Sequence, residues 1–172
     1  MPRQSPPYWS KYAFVDINRD AHQQVHETTK AVHRMFHEWH PTVVHDLHEA
    51  IALMLTWNGT GPYNANLDPI VINEWLEMSF HEVSRLTALG MPGVWTWGFG
   101  EGWAHIYADS VAVNHNAIGR GYETFGNATA ETVRRELDAS DVTMEWYRPA
   151  PPPARSFAWS ARDNVNYNET GA

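Results

Sequence analysis

The chain has 172 residues and a formal net charge of −8, which disfavours a general phosphate-backbone binder, so we expect no nucleic-acid partner. Its 43% hydrophobic and 19% charged residues are typical of one globular domain rather than of a disordered chain. Cysteine is absent, which excludes disulfides, thiolate zinc ligands and a cysteine nucleophile.

The first part of the chain alternates predicted strands and helices. Residues 1–12 are rich in proline and aromatic residues and predict a loop. Residues 13–17 predict a short strand. A helix is predicted over 21–40, because no glycine or proline interrupts it and Asp20 is a good N-cap. The β-branched, alternating residues 42–48 predict a further strand.

The middle of the chain carries the clearest helix signals. Residues 50–57 are apolar and predicted to be buried. Asp68 as a cap and Pro69 in the first turn predict a helix start, and Gly90 predicts its end after residue 89. Residues 94–97 then predict a strand.

The last part of the chain is less regular. Three glycines within 98–102 predict a mobile loop, and 104–113 favours a helix. Residues 117–125 predict a strand, 130–140 a helix, and the prolines after Trp146 an irregular C-terminal segment over 146–172. The alternation of elements indicates a single α/β domain, with a partial mixed β-sheet and helices on both faces.

Histidines are concentrated on the first predicted helix. They form one stripe: His22, His26, His33, His37 and His40. The neighbouring apolar side is formed by Val25, Val32, Met35, Phe36 and Trp39. The run His-Glu-Trp-His is one residue too short for the His-Glu-x-x-His zinc helix. We therefore expect a solvated or half-buried flank rather than a metal site.

Three segments carry residues suited to peptide hydrolysis by zinc. Such a site needs three protein ligands for the metal, a carboxylate beside the metal-bound water, and an arginine fork for the substrate carboxylate. His48 ends a predicted strand, where sites form in open α/β sheets. Glu123 lies in a predicted strand, and Asn18-Arg19 follows another. The three segments are expected to converge on one crevice.

Residues 12–125 resemble the zinc metallocarboxypeptidases of the carboxypeptidase A type. Residues 14–20 (FVDINRD) resemble the family's Asn-Arg segment, 43–48 (VVHDLH) its strand with the third zinc ligand, and 117–124 (AIGRGYET) its late strand with the catalytic glutamate. The sequences of residues 59–64 and 121–126 resemble a bacterial branch of that family.

This resemblance implies a role for each candidate residue. Asn18 and Arg19 would bind the substrate carboxylate, His48 would bind zinc, and Glu123 would act first as general base and then as general acid. Tyr107 is the nearest candidate for the family's substrate-binding tyrosine. The implied partner is the C-terminus of a peptide or protein, and the family is often secreted.

Each candidate also has a structural explanation. Arg19 suits a surface ion pair, His48 a core histidine bonded to the backbone, Glu123 a solvated strand residue and Tyr107 a packed aromatic. Glu49 should point to the face opposite His48, because side chains alternate along a strand.

One part of the family's site is missing from this sequence. The first two zinc ligands would come from His-x-x-Glu upstream of Asn18, and no such motif occurs in the chain. Only one of the three expected zinc ligands, His48, is thus present. We interpret the chain as an internal piece of a carboxypeptidase-like domain without the early strands, and expect it to be inactive alone and to self-associate through exposed edges.

Two rival functions are also compatible with the sequence. A non-catalytic module could bind peptide C-termini through Arg19 without metal, or the chain could be an inactive remnant. A serine hydrolase is disfavoured, because Gly-x-Ser-x-Gly is absent. The N-terminus has no signal-peptide pattern, and no apolar run approaches the roughly 20 residues of a membrane helix, so no membrane partner is expected.

Overall fold

The computed structural model describes residues 15–58, 61–98, 103–127 and 129–172. Its strands are β1 (Val43–Glu49), β2 (Met54–Thr56), β3 (Val94–Trp95), β4 (Ile118–Thr124), β5 (Val133–Glu136) and β6 (Ser156–Trp159). Its α-helices are α1 (Glu27–Trp39), α2 (Pro69–Ala88), α3 (Asp109–Val113) and α4 (Ala161–Gly171). Two 3-10 turns cover Ile17–Arg19 and Ala139–Val142.

The main sheet has the strand order β1-β4-β2-β3. β1 and β4 are parallel, β4 and β2 antiparallel, and β2 and β3 parallel, so the sheet is mixed as predicted. β5 and β6 form a separate antiparallel pair. The α/β class is therefore confirmed.

Helices cover both faces of the main sheet. A Cβ built on Gly119 of β4 would lie 2.7 Å from Cβ of Asp109, so α3 crosses that face closely. Phe36 of α1 packs into the same layer with residues of α3. On the opposite face, the Thr56 hydroxyl donates to the carbonyl of Ser79 in α2 at 3.4 Å, and Tyr122 of β4 donates to the carbonyl of Gly171 in α4.

The predicted limits of α2 are confirmed. The Asp68 carboxylate accepts a hydrogen bond from the N–H of Ile70 at 2.8 Å, and Pro69 is the first helical residue. Gly90 has a φ of +78°, the left-handed conformation that glycine adopts at low cost after a helix. Within the described residues, no helix is long and apolar enough to cross a membrane.

The first helix begins later than predicted. Asp20 still organises its start, because its carboxylate accepts from the N–H groups of Val25 and His26, both at 2.9 Å. Gln24 has a φ of +53°, which interrupts the helical path between Asp20 and α1. Of the predicted apolar side, only Phe36 is buried, since the contact with α3 is short. The histidine stripe is exposed or half-buried, as expected.

The C-terminal predictions are wrong. Residues 130–140 form β5 and a 3-10 turn instead of a helix, because β5 pairs with the distant β6. The segment 146–172, predicted to be irregular, contains β6 and α4. Ser160 and Asp163 form a capping box at the start of α4, a local signal that the proline-based prediction overlooked.

Three shorter predictions also change. The predicted strand 13–17 is replaced at its end by the 3-10 turn, and its first two residues lie outside the described chain. The predicted strand 94–97 shortens to β3, and the predicted helix 104–113 to α3. Most of the glycine loop 98–102 lies outside the described residues.

His45 in β1 is expected to make stability depend on pH. Its ring lies edge-on to Tyr122 with centroids 4.6 Å apart. Burial lowers the pKa of His45 to about 4, and the positive charge of Arg120 acts in the same direction. Because the unfolded chain binds this proton near the ordinary value of 6.5, stability is lost as pH falls from 6.5 towards 4.

The test compares His45→Phe, which keeps the aromatic contact, with wild type in urea unfolding at pH 7.5 and pH 5. We expect the loss of stability between these two pH values to shrink in His45→Phe. His81→Gln, at an exposed position of α2, should retain the wild-type loss. An unchanged pH difference in His45→Phe would contradict the assignment.

Candidate functional site

His48 and Glu123 lie side by side in the sheet, although 75 positions separate them in sequence. They are register partners in the parallel pair β1 and β4, so their side chains leave the same face. Both stand near the carboxyl ends of these strands, the edge at which sites form in open α/β sheets. The predicted convergence of these two segments is thus observed, while their chemical roles stay predictions.

The imidazole of His48 is held by neighbouring polar and aromatic groups. Its Nε2 lies 2.9 Å from Oδ2 of Asp46, which shares its face of β1. Its ring centroid lies 5.1 Å from that of Trp57. The hydrogen bond that His48 donates to the Asp46 carboxylate raises the pKa of His48 against the effect of burial, and the charges of Asp46, Glu123 and Asp109 add to the increase. The charged imidazolium is therefore favoured.

Glu123 is a buried carboxyl residue in the centre of the sheet. It is 7% exposed and lies between His48 of β1 and Leu55 of β2, its register partners on either side. Leu55 is fully buried, so one flank of Glu123 is apolar. Such a setting, a partly enclosed carboxyl beside a histidine, is typical of groups that exchange protons.

Two acidic residues at this site were not identified from the sequence. Asp46 precedes His48 by two positions, and strand alternation alone would have placed both on one face. Asp109 is the first residue of α3 and is 2% exposed. Gly119 of β4 has no side chain, which lets Asp109 of α3 approach the strand closely. A glycine inside a predicted strand was therefore the one sequence signal that another segment packs there.

The structure also brings Arg19 and Tyr107 together. The guanidinium carbon of Arg19 lies 4.7 Å from the centroid of the Tyr107 ring, a cation–π geometry. The N–H of Ala21 donates to the carbonyl of Ile106 at 3.1 Å, which ties the two segments. Arg19 is exposed and therefore open to an anionic group in solution.

Asn18 lies beside Arg19 in the first 3-10 turn. Its N–H donates to Oδ1 of Asp16 at 2.8 Å, and its carbonyl accepts from Nη1 of Arg19 at 2.8 Å. Asn18 is half-buried. Tyr107 precedes Asp109 by two residues, so the start of α3 links the Arg19 segment to the surroundings of His48.

The described residues do not fit a resident zinc ion. Among them, no group of three or more His, Cys, Asp or Glu side chains could hold a metal. His48 also sits in a setting that favours its charged form, whereas a zinc ligand must be neutral. One imidazole cannot hold zinc tightly against water.

Glu49 lies on the face opposite His48, as expected, and Ser79 also lies outside the site. Glu49 Oε1 accepts from Nδ2 of Asn164 in α4 at 2.8 Å, on the face opposite His48. Ser79 is buried inside α2, and its hydroxyl donates to the carbonyl of Trp57 at 2.6 Å. A bonded hydroxyl in the middle of a helix is a poor nucleophile.

Comparison with models of protein families, with curated proteins and with solved structures found no match. The fold class and the site geometry therefore rest on the structure, and the family resemblance stays a hypothesis.

Proposed function

We propose that this chain is a zinc metallocarboxypeptidase-like domain whose crevice over His48 and Glu123 receives the C-terminus of a peptide. The observation that carries the proposal is the register pairing of His48 with Glu123. The sequence resemblance assigns these two residues to one site, and the segments that carry them were expected to converge on one crevice. Arg19 and Tyr107, the implied substrate-binding residues, also meet.

In this proposal Arg19 binds the terminal carboxylate through its planar guanidinium, which suits two parallel hydrogen bonds. The ring of Tyr107 lies against one face of the guanidinium, and Arg19 is exposed. The side-chain amide of Asn18, the preceding residue, is assigned as a further donor to the carboxylate by resemblance. The favoured positive charge of His48 adds to the attraction for an anionic terminus.

Hydrolysis needs more than these residues provide. In the family, zinc supplies Lewis-acid activation of water, but the described residues do not offer the three ligands. We therefore derive only binding from this part of the chain. Glu123 is assigned as the proton-accepting residue by resemblance, and its position beside His48 supports that assignment.

Peptide binding tests the carboxylate assignment. A short peptide with a free C-terminus should bind at least about tenfold more tightly than the same peptide with an amidated C-terminus, because a charged hydrogen-bonded pair contributes about 1.5–3 kcal/mol. Arg19→Ala should remove this preference, measured by isothermal titration calorimetry. Arg34→Ala, an exposed arginine on α1, is the matched control and should retain it.

A preference that survives in Arg19→Ala, or that Arg34→Ala removes equally, would contradict the assignment. Hydrolysis is tested separately with added zinc. We expect no turnover by this chain, and robust turnover that is lost in Glu123→Gln would show that the ligand set is complete after all.

A non-catalytic peptide-binding module is the second candidate. It is favoured by one observation, the absence of a three-ligand metal group among the described residues. Binding that needs Arg19 and is unchanged by zinc or by a chelator would support the module. Binding that strengthens with zinc would support the metallocarboxypeptidase assignment.

A further inference from the structure

A cluster of three histidines lies where α1 meets α3. His33 and His37 of α1 have ring centroids 6.4 Å apart, and the ring of His37 lies 5.1 Å from that of His115, which follows the end of α3. The ring of His115 also contacts Phe36, with centroids 5.3 Å apart. Phe36 is the apolar residue that α1 buries in the layer with α3. The histidines therefore lie beside the side chain on which this helix contact depends.

His33 is the most enclosed member of the cluster. It is half-buried, whereas His37 and His115 are exposed. Its Nε2 is buried and has no hydrogen-bond partner among the described residues, so a proton added there would meet no acceptor. Burial lowers the pKa of His33, and the charges of His37 and His115 act in the same direction. A hydrogen bond with the backbone of Ala21 and the charge of Asp20 oppose this decrease.

Charged and titratable groups of the neighbouring elements also lie around this contact. Among the described residues they include Asp20 before α1, Arg34, Glu38 and His40 on α1, and His105 and Asp109 near the start of α3. Lys30 of α1 is paired with Glu27 at 2.6 Å. β1 contributes the apolar Val44 to this layer, and Asp46 follows on the same face of the strand. Asp20 attracts His33, but two backbone N–H groups already donate to its carboxylate, so it offsets the repulsion between the imidazoles only in part.

We propose that α1 separates locally from α3 when His33, His37 and His115 become charged, so that the contact between the two helices depends on pH. Like charges four positions apart on a helix repel each other, as His33 and His37 then do, and His115 adds a third charge from the other side of the contact. Once α1 has moved away, the ring of His33 is solvated and binds its proton near the ordinary value of 6.5. The stability of the contact is therefore lost as pH falls below 6.5. These contacts all join described residues, and none of them depends on the proposed function.

Hydrogen exchange measured by mass spectrometry at pH 7.5 and pH 5.5 is the first test, with labelling times scaled to the intrinsic exchange rate at each pH. We expect α1 to lose at least about tenfold more protection than α2 at pH 5.5. The double variant His37→Gln/His115→Gln leaves one of the three charges and should remove this difference. His81→Gln, at an exposed position of α2, should behave like wild type. Equal losses in α1 and α2, or a double variant that behaves like wild type, would overturn the proposal.

The second test follows the His33 ring by NMR between pH 8 and pH 5. The pKa of His33 should rise in His37→Gln, because one of the charges that lowers it is removed. It should stay at the wild-type value in His81→Gln. An unchanged pKa of His33 in His37→Gln would show that the two imidazoles do not act on each other, which contradicts the proposal. Circular dichroism at pH 7.5 checks that the variants fold.

Discussion

Replacing Glu82 by alanine is expected to lower the free energy of unfolding by about 3 kcal/mol or more at pH 8, because it leaves a buried charge without its partner. Glu82 of α2 is 8% exposed and forms an ion pair with Arg120 of β4, whose side chain is 15% exposed. Arg120 also donates to the carbonyl of Gly171 at 2.9 Å, so the pair joins α2, β4 and α4. Urea unfolding followed by circular dichroism measures the loss.

Burial raises the pKa of Glu82 to about 7, although Arg120 opposes the increase. A carboxyl group with a raised pKa in the folded state contributes stability below its unfolded pKa of 4.5, and this is lost as pH rises through 7. Glu82→Gln keeps an acceptor for Arg120 without the charge. It should therefore cost less than Glu82→Ala and should flatten the stability profile between pH 5 and pH 8.

Glu77→Ala is the matched control, since Glu77 is exposed on the same helix. Its effect should stay within about 0.5 kcal/mol, the usual range for surface substitutions. Equal losses for Glu82→Ala and Glu77→Ala would show that the ion pair with Arg120 does not hold the helices on the sheet.

Gly121→Ala is expected to lower the free energy of unfolding by at least about 2 kcal/mol through overpacking. A Cβ at this position would lie 2.5 Å from Cε3 of Trp57 and 2.6 Å from the backbone oxygen of Asp46. Because Asp46 belongs to the neighbouring strand, β1 has to shift away from β4. The shift disturbs the contacts of His48 with Trp57 and Asp46, so the NMR titration of the His48 ring should change as well.

Gly126→Ala is the control at the end of the same chain segment. A Cβ at this position would contact the backbone oxygen of Glu49 at 3.5 Å, an ordinary van der Waals distance. This variant should keep wild-type stability and the wild-type titration of His48. A stable Gly121→Ala with an unchanged His48 titration would mean that the approach of β1 to β4 is not tight at this point.

Some elements of the fold were predictable because their signals are local. Asp68, Pro69 and Gly90 bracket α2, and each acts through its own backbone or a neighbour two positions away. The β-branched start and alternation of 43–48 predicted β1 within one residue at each end, and the prediction for β4 was equally close. Neither prediction required knowledge of the partner strand.

Other elements depend on contacts between distant residues. β5 has the composition of a charged helix and becomes a strand because Val133–Glu136 pairs with Ser156–Trp159. The capping box at Ser160 is a local start signal for α4, and a distant contact then holds the helix, because Tyr167 is buried and its hydroxyl donates to the carbonyl of Pro92 at 2.9 Å. No periodicity in either segment reveals these partners.

The candidate site also contains residues that the sequence identified and residues that only the structure revealed. His48, Glu123 and Arg19 were recognised from residue type and order along the chain, and the structure brings His48 beside Glu123 and Arg19 beside Tyr107. Asp109 was missed, because its effect on His48 arises only when α3 packs over Gly119. The charges that surround His48 are therefore set by the tertiary structure and could not be predicted from the sequence.

By itself, the sequence determined which residues of this protein can begin a helix, continue a strand or carry a proton, since these depend on one residue and its near neighbours. Only the tertiary structure decided which strand β1 pairs with, which face α3 covers and how far Glu82 and Glu123 are removed from water. The physical reason is that burial and electrostatic interaction depend on distance in space, and the chain sets that distance only when it is folded.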